Sequence, residues 1–415
     1  MDKIIIEGNN HLEGTVKISG AKNAVLPIMT AALMVDGKSI ISKVPNLRDT
    51  RTMIKLLNIV GADCDLEGDL LTIDGSKANN PEAPYDLVKT MRASFYVLGP
   101  LLARFGYVKV SLPGGCAWGP RPVDYHLKGL EKLGAKITLE SGYILAESDQ
   151  LVGSNINLEY PSVGATGNIL MAAVLAKGTT VIGNAAKEPE IVQLCEFLNQ
   201  MGASIKGIGS TSITIEGVSA LKPANIEVIP DRIEAGTFLI AAAITRSGIS
   251  LFACEPNHLK AVIKKLELCG CKFEYSRHFL RIIPNQILNS VNMTTSPFPG
   301  FPTDLQAPFM ALMTTANGTS IIKEKVFENR MHHVKELNRM GANITVRDNT
   351  AKIVGVKNLD GKVVAGFDLR ATAALALAGL SANGKTIVRG LEYLERGYED
   401  FSKKLEKIGA KILEN

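Results

Sequence analysis

Six closely similar phrases recur along the chain, and they constrain its fold more than any other feature. Leu-Leu-Asn-Ile-Val-Gly-Ala ends at Ala62, Leu-Glu-Lys-Leu-Gly-Ala at Ala135, and Leu-Asn-Gln-Met-Gly-Ala at Ala203. Leu-Glu-Leu-Cys-Gly-Cys ends at Cys271, Leu-Asn-Arg-Met-Gly-Ala at Ala342, and Leu-Glu-Lys-Ile-Gly-Ala at Ala410. Their glycines are Gly61, Gly134, Gly202, Gly270, Gly341 and Gly409, at steps of 73, 68, 68, 71 and 68 residues. One supersecondary unit is therefore written six times, and a fixed period of this kind dictates architecture before any local propensity does.

Each phrase reads as the end of an amphipathic helix. Leu and Ile fall at helical spacing, and Gly stands where the chain leaves the helix through a left-handed conformation. A short alternating strand follows, such as Lys136-Ile137-Thr138-Leu139, then a polar turn and a second one, such as Ser212-Ile213-Thr214-Ile215-Glu216. A third strand leads into an apolar helix, as at Ala235 to Thr245 and Ala371 to Leu380, and that helix ends in a further strand. The unit is roughly βαβαββ, in the α/β class. The sixth unit reads as one strand pair short. Lys3-Ile4-Ile5-Ile6-Glu7-Gly8 matches its missing hairpin strand and Gly14-Thr15-Val16-Lys17-Ile18 its third strand, so the N-terminal strands are expected to complete the last unit.

A length of 415 residues exceeds one ordinary core. Two domains of three repeats each are expected, with pseudo-threefold packing. Residues 21–229 form one and residues 1–20 with 230–415 the other, and the crossovers lie near Gly20 and Pro230. The apolar fraction of 46% suits a globular protein, and no apolar run reaches the ~18 residues of a membrane span. The first residues lack the pattern of a signal peptide, so a cytoplasmic location is expected. Six scattered cysteines suit a reducing compartment. Cys269 and Cys271 are the one close pair; no second Cys or His pair is spaced to help them bind a metal, and Cys271 stands where other units have Ala. His332-His333 is no better, since adjacent helical residues do not face one another. A net charge of +5 permits an anionic ligand without demanding nucleic acid.

Chemistry collects in the six loops that open the apolar helices. They read Gly20-Ala21-Lys22-Asn23, Lys89-Thr90-Met91-Arg92, Ser162-Val163-Gly164-Ala165-Thr166, Asp231-Arg232-Ile233-Glu234, Thr303-Asp304-Leu305-Gln306 and Asp368-Leu369-Arg370. The scaffold repeats while its polar groups differ. Asp231 and Asp368 read equally as helix caps or as ligands. Lys22, Arg92 and Arg370 oppose the helix dipole, which points to an anion in an interdomain cleft that they line with few carboxylates. In the second unit Leu112-Pro113-Gly114-Gly115-Cys116-Ala117-Trp118-Gly119-Pro120-Arg121-Pro122 is longer than its sister loops and has the composition of a lid. Arg121 would enrich the thiolate of Cys116.

With these residues in view, the chain resembles the enolpyruvyl transferases from Met1 to about Leu413. The motifs are Ile18-Ser19-Gly20-Ala21-Lys22-Asn23-Ala24, Tyr85-Asp86-Leu87-Val88-Lys89-Thr90-Met91-Arg92-Ala93-Ser94, Pro113-Gly114-Gly115-Cys116, Arg121-Pro122-Val123-Asp124, Phe301-Pro302-Thr303-Asp304, Phe327-Glu328-Asn329-Arg330 and Arg396-Gly397-Tyr398-Glu399. The resemblance implies two inside-out α/β barrels and an enolpyruvyl transfer from phosphoenolpyruvate to UDP-N-acetylglucosamine, with neither metal nor organic cofactor. It implies that Lys22, Asn23, Arg121, Arg370 and Arg396 hold phosphoenolpyruvate. Arg92, the segment Arg121, Pro122, Val123, Asp124 and Tyr125, and Ser162, Val163, Asp304 and Val326 would hold the nucleotide sugar. Asp304 would be the base beside the 3′-hydroxyl, Cys116 the acid that protonates C3, and Lys22 and Arg396 the catalytic cations. The resemblance also implies alkylation of Cys116 by the epoxide antibiotic fosfomycin. Arg48 and Tyr96 depart from the family pattern, where Lys and Trp are frequent.

Two other readings compete. The sister reaction on shikimate 3-phosphate shares fold and donor, but the Pro-Gly-Gly-Cys loop and the Tyr85 to Arg92 segment argue against it. A DNA sliding clamp is also built from repeated α/β units, but it needs basic helices lining a ring. Here those helices are apolar, as from Phe238 to Ile244, and nucleic acid is not expected as a partner.

Overall fold

The structure, a computed structural model, describes residues 3–89, 91–112, 123–284 and 286–414. The chain divides into two compact units, Met1–Ser19 with Pro230–Asn415, and Gly20–Ile229. Each has its own hydrophobic core.

The described residues form six four-stranded sheets of one pattern. A strand runs parallel to the strand that follows the apolar helix; that second strand pairs antiparallel with the far arm of a hairpin. In the unit Gly20–Ile229 one sheet is ordered Asn155–Asn157, Thr179–Gly183, Ser212–Glu216, Ser204–Lys206. The helix Val163–Ala173 joins its two parallel strands. All six phrase glycines have positive φ, between 92° and 102°. At Gly61 the amide donates back to Asn58 O and Leu57 O is taken up by Ala62, which closes the helix Arg48–Val60. A side chain there would be strained, which is why the phrase keeps Gly.

Two kinds of helix follow from two hydrophobic patterns. Arg48–Val60 buries Met53, Leu56, Leu57 and Val60 and shows its other face to solvent. Arg232–Ile244 is apolar all round, and every residue from Ile233 to Ile244 is buried. It packs with Gln306–Met313 and Leu369–Ser381 into the centre of its unit. Burying one Phe such as Phe238 contributes about 2–3 kcal/mol.

The N-terminal strands separate, contrary to the expectation that both complete the last unit. Lys3–Glu7 does lie between Lys385–Arg389 and Ile412–Glu414, antiparallel to both. Glu13–Lys17 instead runs parallel to Gly248–Phe252 in another sheet. The reason is reciprocal. Glu13–Lys17 precedes the helix Lys22–Ala31 of the other unit, and Asn225–Glu227 precedes the helix Arg232–Ile244 of this one. Asn225–Glu227 pairs with Lys38–Ser42, so each strand fills the edge left by the other. A buried network fixes the outgoing crossover: Glu234 accepts from Ser19 N at 2.7 Å, and Lys404 Nζ donates to Glu234 at 2.5 Å and to Ser19 Oγ at 2.6 Å.

Candidate active site

Asp304 stands in the 3-10 turn Thr303–Leu305, which opens the helix Gln306–Met313. Two arginines from distant segments clamp its carboxylate. Arg330 Nη2 donates to Oδ1 at 2.8 Å and Arg370 Nη2 to Oδ2 at 2.9 Å. The arginine side chains are 6% and 4% exposed, whereas Asp304 is 25% exposed. A carboxylate offers about four acceptor directions, so two arginines do not exhaust it. The Arg370 guanidinium lies over the Tyr398 ring at 5.2 Å, and its buried Nη1 has no hydrogen-bond partner among the described residues. Burial opposes the Arg370 charge, but Asp304, Tyr398 and Asp231 outweigh it and hold its pKa above the ordinary value. Arg396 is half-buried two residues before Tyr398.

Around this clamp the helix openings sort into two kinds. Asp231 accepts from Ile233 N and Glu234 N at 2.7 and 3.0 Å, and Asp368 from Arg370 N and Ala371 N at 2.8 and 3.0 Å. Both act as N-caps, the first of the two readings open for them. The cap on Leu369–Ser381 also sets the backbone that carries Arg370. Burial pushes His333 down to about 4; Asp368 opposes this, and Arg330 and His332 add to it. Val326, half-buried, donates its amide to Glu324 Oε1 at 2.8 Å.

In the unit Gly20–Ile229, Lys22 begins the helix Lys22–Ala31, whose N-cap Ala21 offers no side-chain bond. Its Nζ lies 3.6 Å from Asp49 Oδ2, with Asn23 half-buried beside it. The cations that seemed to need an external anion therefore have carboxylates of their own unit: Asp49 for Lys22 and Asp304 for Arg370. Arg92 begins the turn Arg92–Val97. Its charge acts on Tyr96 and on His126. Burial raises Tyr96, Arg92 opposes this, and Glu190 and Glu188 add to it.

His126 belongs to the helix Asp124–Lys132 and is buried. Asn168 Oδ1 accepts from Gly99 N at 2.8 Å, and its Nδ2 donates to Phe95 O at 3.1 Å. Nδ2 therefore also faces His126 Nδ1, at 2.9 Å, as a donor, which leaves the imidazole proton on Nε2. Burial first, then the Arg92 charge, pushes His126 down to about 3. Asp124 lies 3.6 Å from Lys128 Nζ, and its buried Oδ1 has no partner among the described residues. Ser162 caps Val163–Ala173 by accepting from Ala165 N at 3.3 Å; Val163, like Val123, is half-buried. A cavity of about 470 Å³ is lined by Tyr125, Lys128, Lys132, Asn155 and Glu159 among others.

Cys116, Arg121, Pro122 and Thr90 lie outside the described residues. Cys269 and Cys271 are buried, and burial pushes their thiols up to about 12 and about 11. Among the described residues no group of three His, Cys, Asp or Glu is placed to hold a metal, and no helix is long and apolar enough to cross a membrane. Sequence reasoning assigned no part to Thr303, Glu324, Arg330, Asp49, His126 or Asn168. Thr303 and Arg330 carried a signal, in Phe301-Pro302-Thr303-Asp304 and as the last residue of Phe327-Glu328-Asn329-Arg330.

Repeated βαβαββ sheets with a cation-clamped carboxylate at a helix start invite comparison with known proteins. The family model for EPSP synthase (3-phosphoshikimate 1-carboxyvinyltransferase) matches residues 6–405. The crystal structure of the enolpyruvyl transferase NikO from Streptomyces tendae superposes with a TM-score of 0.91 at 25% identity, covering 100% of this chain and 99% of that one. EPSP synthase from Acinetobacter baumannii shares the fold at a TM-score of 0.78 and 20% identity, with both chains fully covered. The chain thus belongs to the enolpyruvyl (carboxyvinyl) transferase family and is an enzyme of that class. Within that family its full-length likeness is to proteins named UDP-N-acetylglucosamine 1-carboxyvinyltransferase. The one from Desulfosudis oleivorans is 51% identical over 99% of both chains. The one from Chloroherpeton thalassium is 53% identical over 99% of this chain and 97% of its own length.

Proposed function

We propose that the chain transfers the enolpyruvyl group of phosphoenolpyruvate to the 3′-hydroxyl of UDP-N-acetylglucosamine and releases phosphate. This is the first committed step of peptidoglycan precursor synthesis, carried out in the cytoplasm. The observation that carries the reading is the half-identity, over nearly the whole length, to proteins named for that reaction. The solved structure of the shikimate enzyme matches at 20% identity and reaches only the fold. The finer architecture we propose is two inside-out barrels of three repeats each.

The chemistry is an addition followed by an elimination. Asp304 takes the proton of the 3′-hydroxyl as its oxygen attacks C2 of phosphoenolpyruvate. Cys116 gives a proton to C3, so that a tetrahedral ketal phosphate forms. Loss of a C3 proton and departure of phosphate restore the double bond in the enolpyruvyl ether. Donor and intermediate both carry a phosphate and a carboxylate, so Lys22, Asn23, Arg121, Arg370 and Arg396 bind them and Lys22 and Arg396 offset charge on the leaving phosphate. The buried, unpartnered Nη1 of Arg370 is a donor that such an anion would satisfy. Arg92, Arg121 to Tyr125, Ser162, Val163 and Val326 are assigned to the nucleotide sugar. The reaction transfers no electrons and needs no metal or organic cofactor.

The test is phosphate release from phosphoenolpyruvate with each of two acceptors. Release with UDP-N-acetylglucosamine, lost in Asp304→Ala and Cys116→Ser, is expected. Release with shikimate 3-phosphate alone overturns the acceptor, and release with neither overturns the activity.

A further inference from the structure

Glu324 ends the strand Thr319–Lys323 as a carboxylate only 2% exposed, and no role in binding or chemistry has been given to it above. It faces four polar partners in two sets. Oε1 accepts from Thr295 Oγ1 at 2.8 Å, Val326 N at 2.8 Å and Phe327 N at 3.1 Å. Oε2 accepts from Thr303 Oγ1 at 2.8 Å. The Thr303 oxygen in turn accepts from Arg330 Nη1 at 2.7 Å, and Arg330 Nη2 reaches Asp304. A hydroxyl has one proton. With that proton given to Glu324, the Thr303 lone pairs are left to face Arg330.

We infer that Glu324 is a positioning residue with two outputs: through Thr303 and Arg330 it orients the Asp304 carboxylate, and through the Val326 and Phe327 amides it shapes the acceptor segment. The inference rests on the functional reading above. It follows from direction, because every bond in the relay runs one way from guanidinium to Glu324. Glutamine at this position separates the outputs. Its carbonyl oxygen keeps the three donors of the first set, and its NH2 then points at Thr303 as a donor. Thr303 must then receive two donors, one on each lone pair, and turn its own proton away from both, which shifts Arg330 while the Val326 segment stays in place. Alanine removes both sets.

The experiment is steady-state phosphate release by the full chain with phosphoenolpyruvate and UDP-N-acetylglucosamine. Glu324→Gln is expected to lower kcat 10- to 100-fold with KM for the nucleotide sugar within threefold of wild type, because misplacing a base by a fraction of an ångström costs rate rather than affinity. Glu324→Ala adds a KM increase of more than tenfold. Thr303→Val breaks the same relay from its middle and is expected to match the Glu324→Gln loss, so the inference stays testable if the Glu324 variants fold poorly. Glu324→Gln combined with Thr303→Val, or with Asp304→Asn, should cost less than threefold beyond the slower single variant. A kcat within threefold of wild type in Glu324→Gln or Thr303→Val overturns the inference, as do losses that multiply in the double variants, which a merely structural role would give. Inactivity of the wild type with this acceptor overturns the functional reading and this inference with it. An active wild type with unaffected variants overturns the inference alone.

Discussion

His126 makes the protein sensitive to mild acid in a way that one substitution removes. Its Nδ1 already accepts from Asn168 Nδ2 at 2.9 Å, so protonation would set two donors face to face inside the core. Burial and the Arg92 charge hold its pKa down to about 3. In the unfolded chain the ordinary value of ~6.5 applies. A histidine with a depressed native pKa lets the unfolded state bind more protons, so stability falls as pH drops through 6.5 and goes on falling toward 3. Between pH 7 and pH 5 the loss is about 2 kcal/mol. That figure depends almost wholly on the unfolded pKa, because the native group binds nothing above pH 5 whether its own value is about 3 or about 4.

The assay is urea unfolding of wild type and His126→Gln at pH 7, 6 and 5, followed by far-ultraviolet circular dichroism. Glutamine can still accept from Asn168 but does not titrate. The variant is less stable at pH 7, and the gap should narrow by about 2 kcal/mol at pH 5. The difference between the two proteins cancels every group they share, including His333, whose native value of about 4 gives a slope of the same sign. An identical gap at pH 7 and pH 5 would refute both the buried neutral imidazole and the hydrogen-bond direction that explains it.

Three further outcomes are expected. Incubation with fosfomycin alkylates Cys116 and abolishes phosphate release, and Cys116→Ser gains no mass; unchanged intact mass and activity of the wild type would sink this. Gly236→Ala sets a methyl 2.3 Å from Leu305 Cδ1 in a full core, and the overpacking of ~1–3 kcal/mol outweighs a helix gain of ~1 kcal/mol. Because Leu305 adjoins Asp304, kcat should fall at least tenfold, and an unaltered kcat would show that the turn absorbs the methyl. Burial raises Glu234 to about 7 against the pull of Lys404, so the unfolded chain ionises first and this residue costs stability as pH rises from 4.5 toward 7. Lys404→Met removes the opposing charge, raises Glu234 further and should carry this loss on above pH 7 in urea titrations, which a loss that ends at pH 7 would contradict.

The six glycine stops were legible because only one residue type takes positive φ cheaply, so Gly61 and its five counterparts mark helix ends wherever they occur. The apolar helices were legible because Phe238 to Ile244 offers no polar face to solvent. The destination of Glu13–Lys17 was not. Its alternation fits any edge position, and only the reciprocal crossing with Asn225–Glu227 decides which sheet it joins. At the candidate site Asp304 and Arg370 stood out as polar residues at helix starts. Glu324 and Thr295 did not, because they lie 20 and 9 residues from Asp304 along the chain, with no periodicity linking them. Asp49 was hidden for the same reason: an acidic residue in the first turn of an amphipathic helix looks like a dipole partner until the fold sets it 3.6 Å from Lys22.

Repetition also explains how the scaffold and the chemistry stay apart. Six equivalent helix openings descend from one repeated unit, yet they divide by how their backbone donors are met. Ser162, Asp231 and Asp368 cap their own helices with side-chain oxygens. The openings at Lys22, Arg92 and Thr303–Leu305 have Ala21, Met91 and Pro302 at the cap, and none supplies a side-chain bond. A capped opening is satisfied from within and can be conserved for stability alone. An uncapped one gives up about 1 kcal/mol and is kept only where something else depends on the residue that follows. Those residues are Lys22, Arg92 and Asp304, each tied electrostatically to another segment of its own unit. The absent cap thus marks helix starts whose first residues are held by another segment of the same unit.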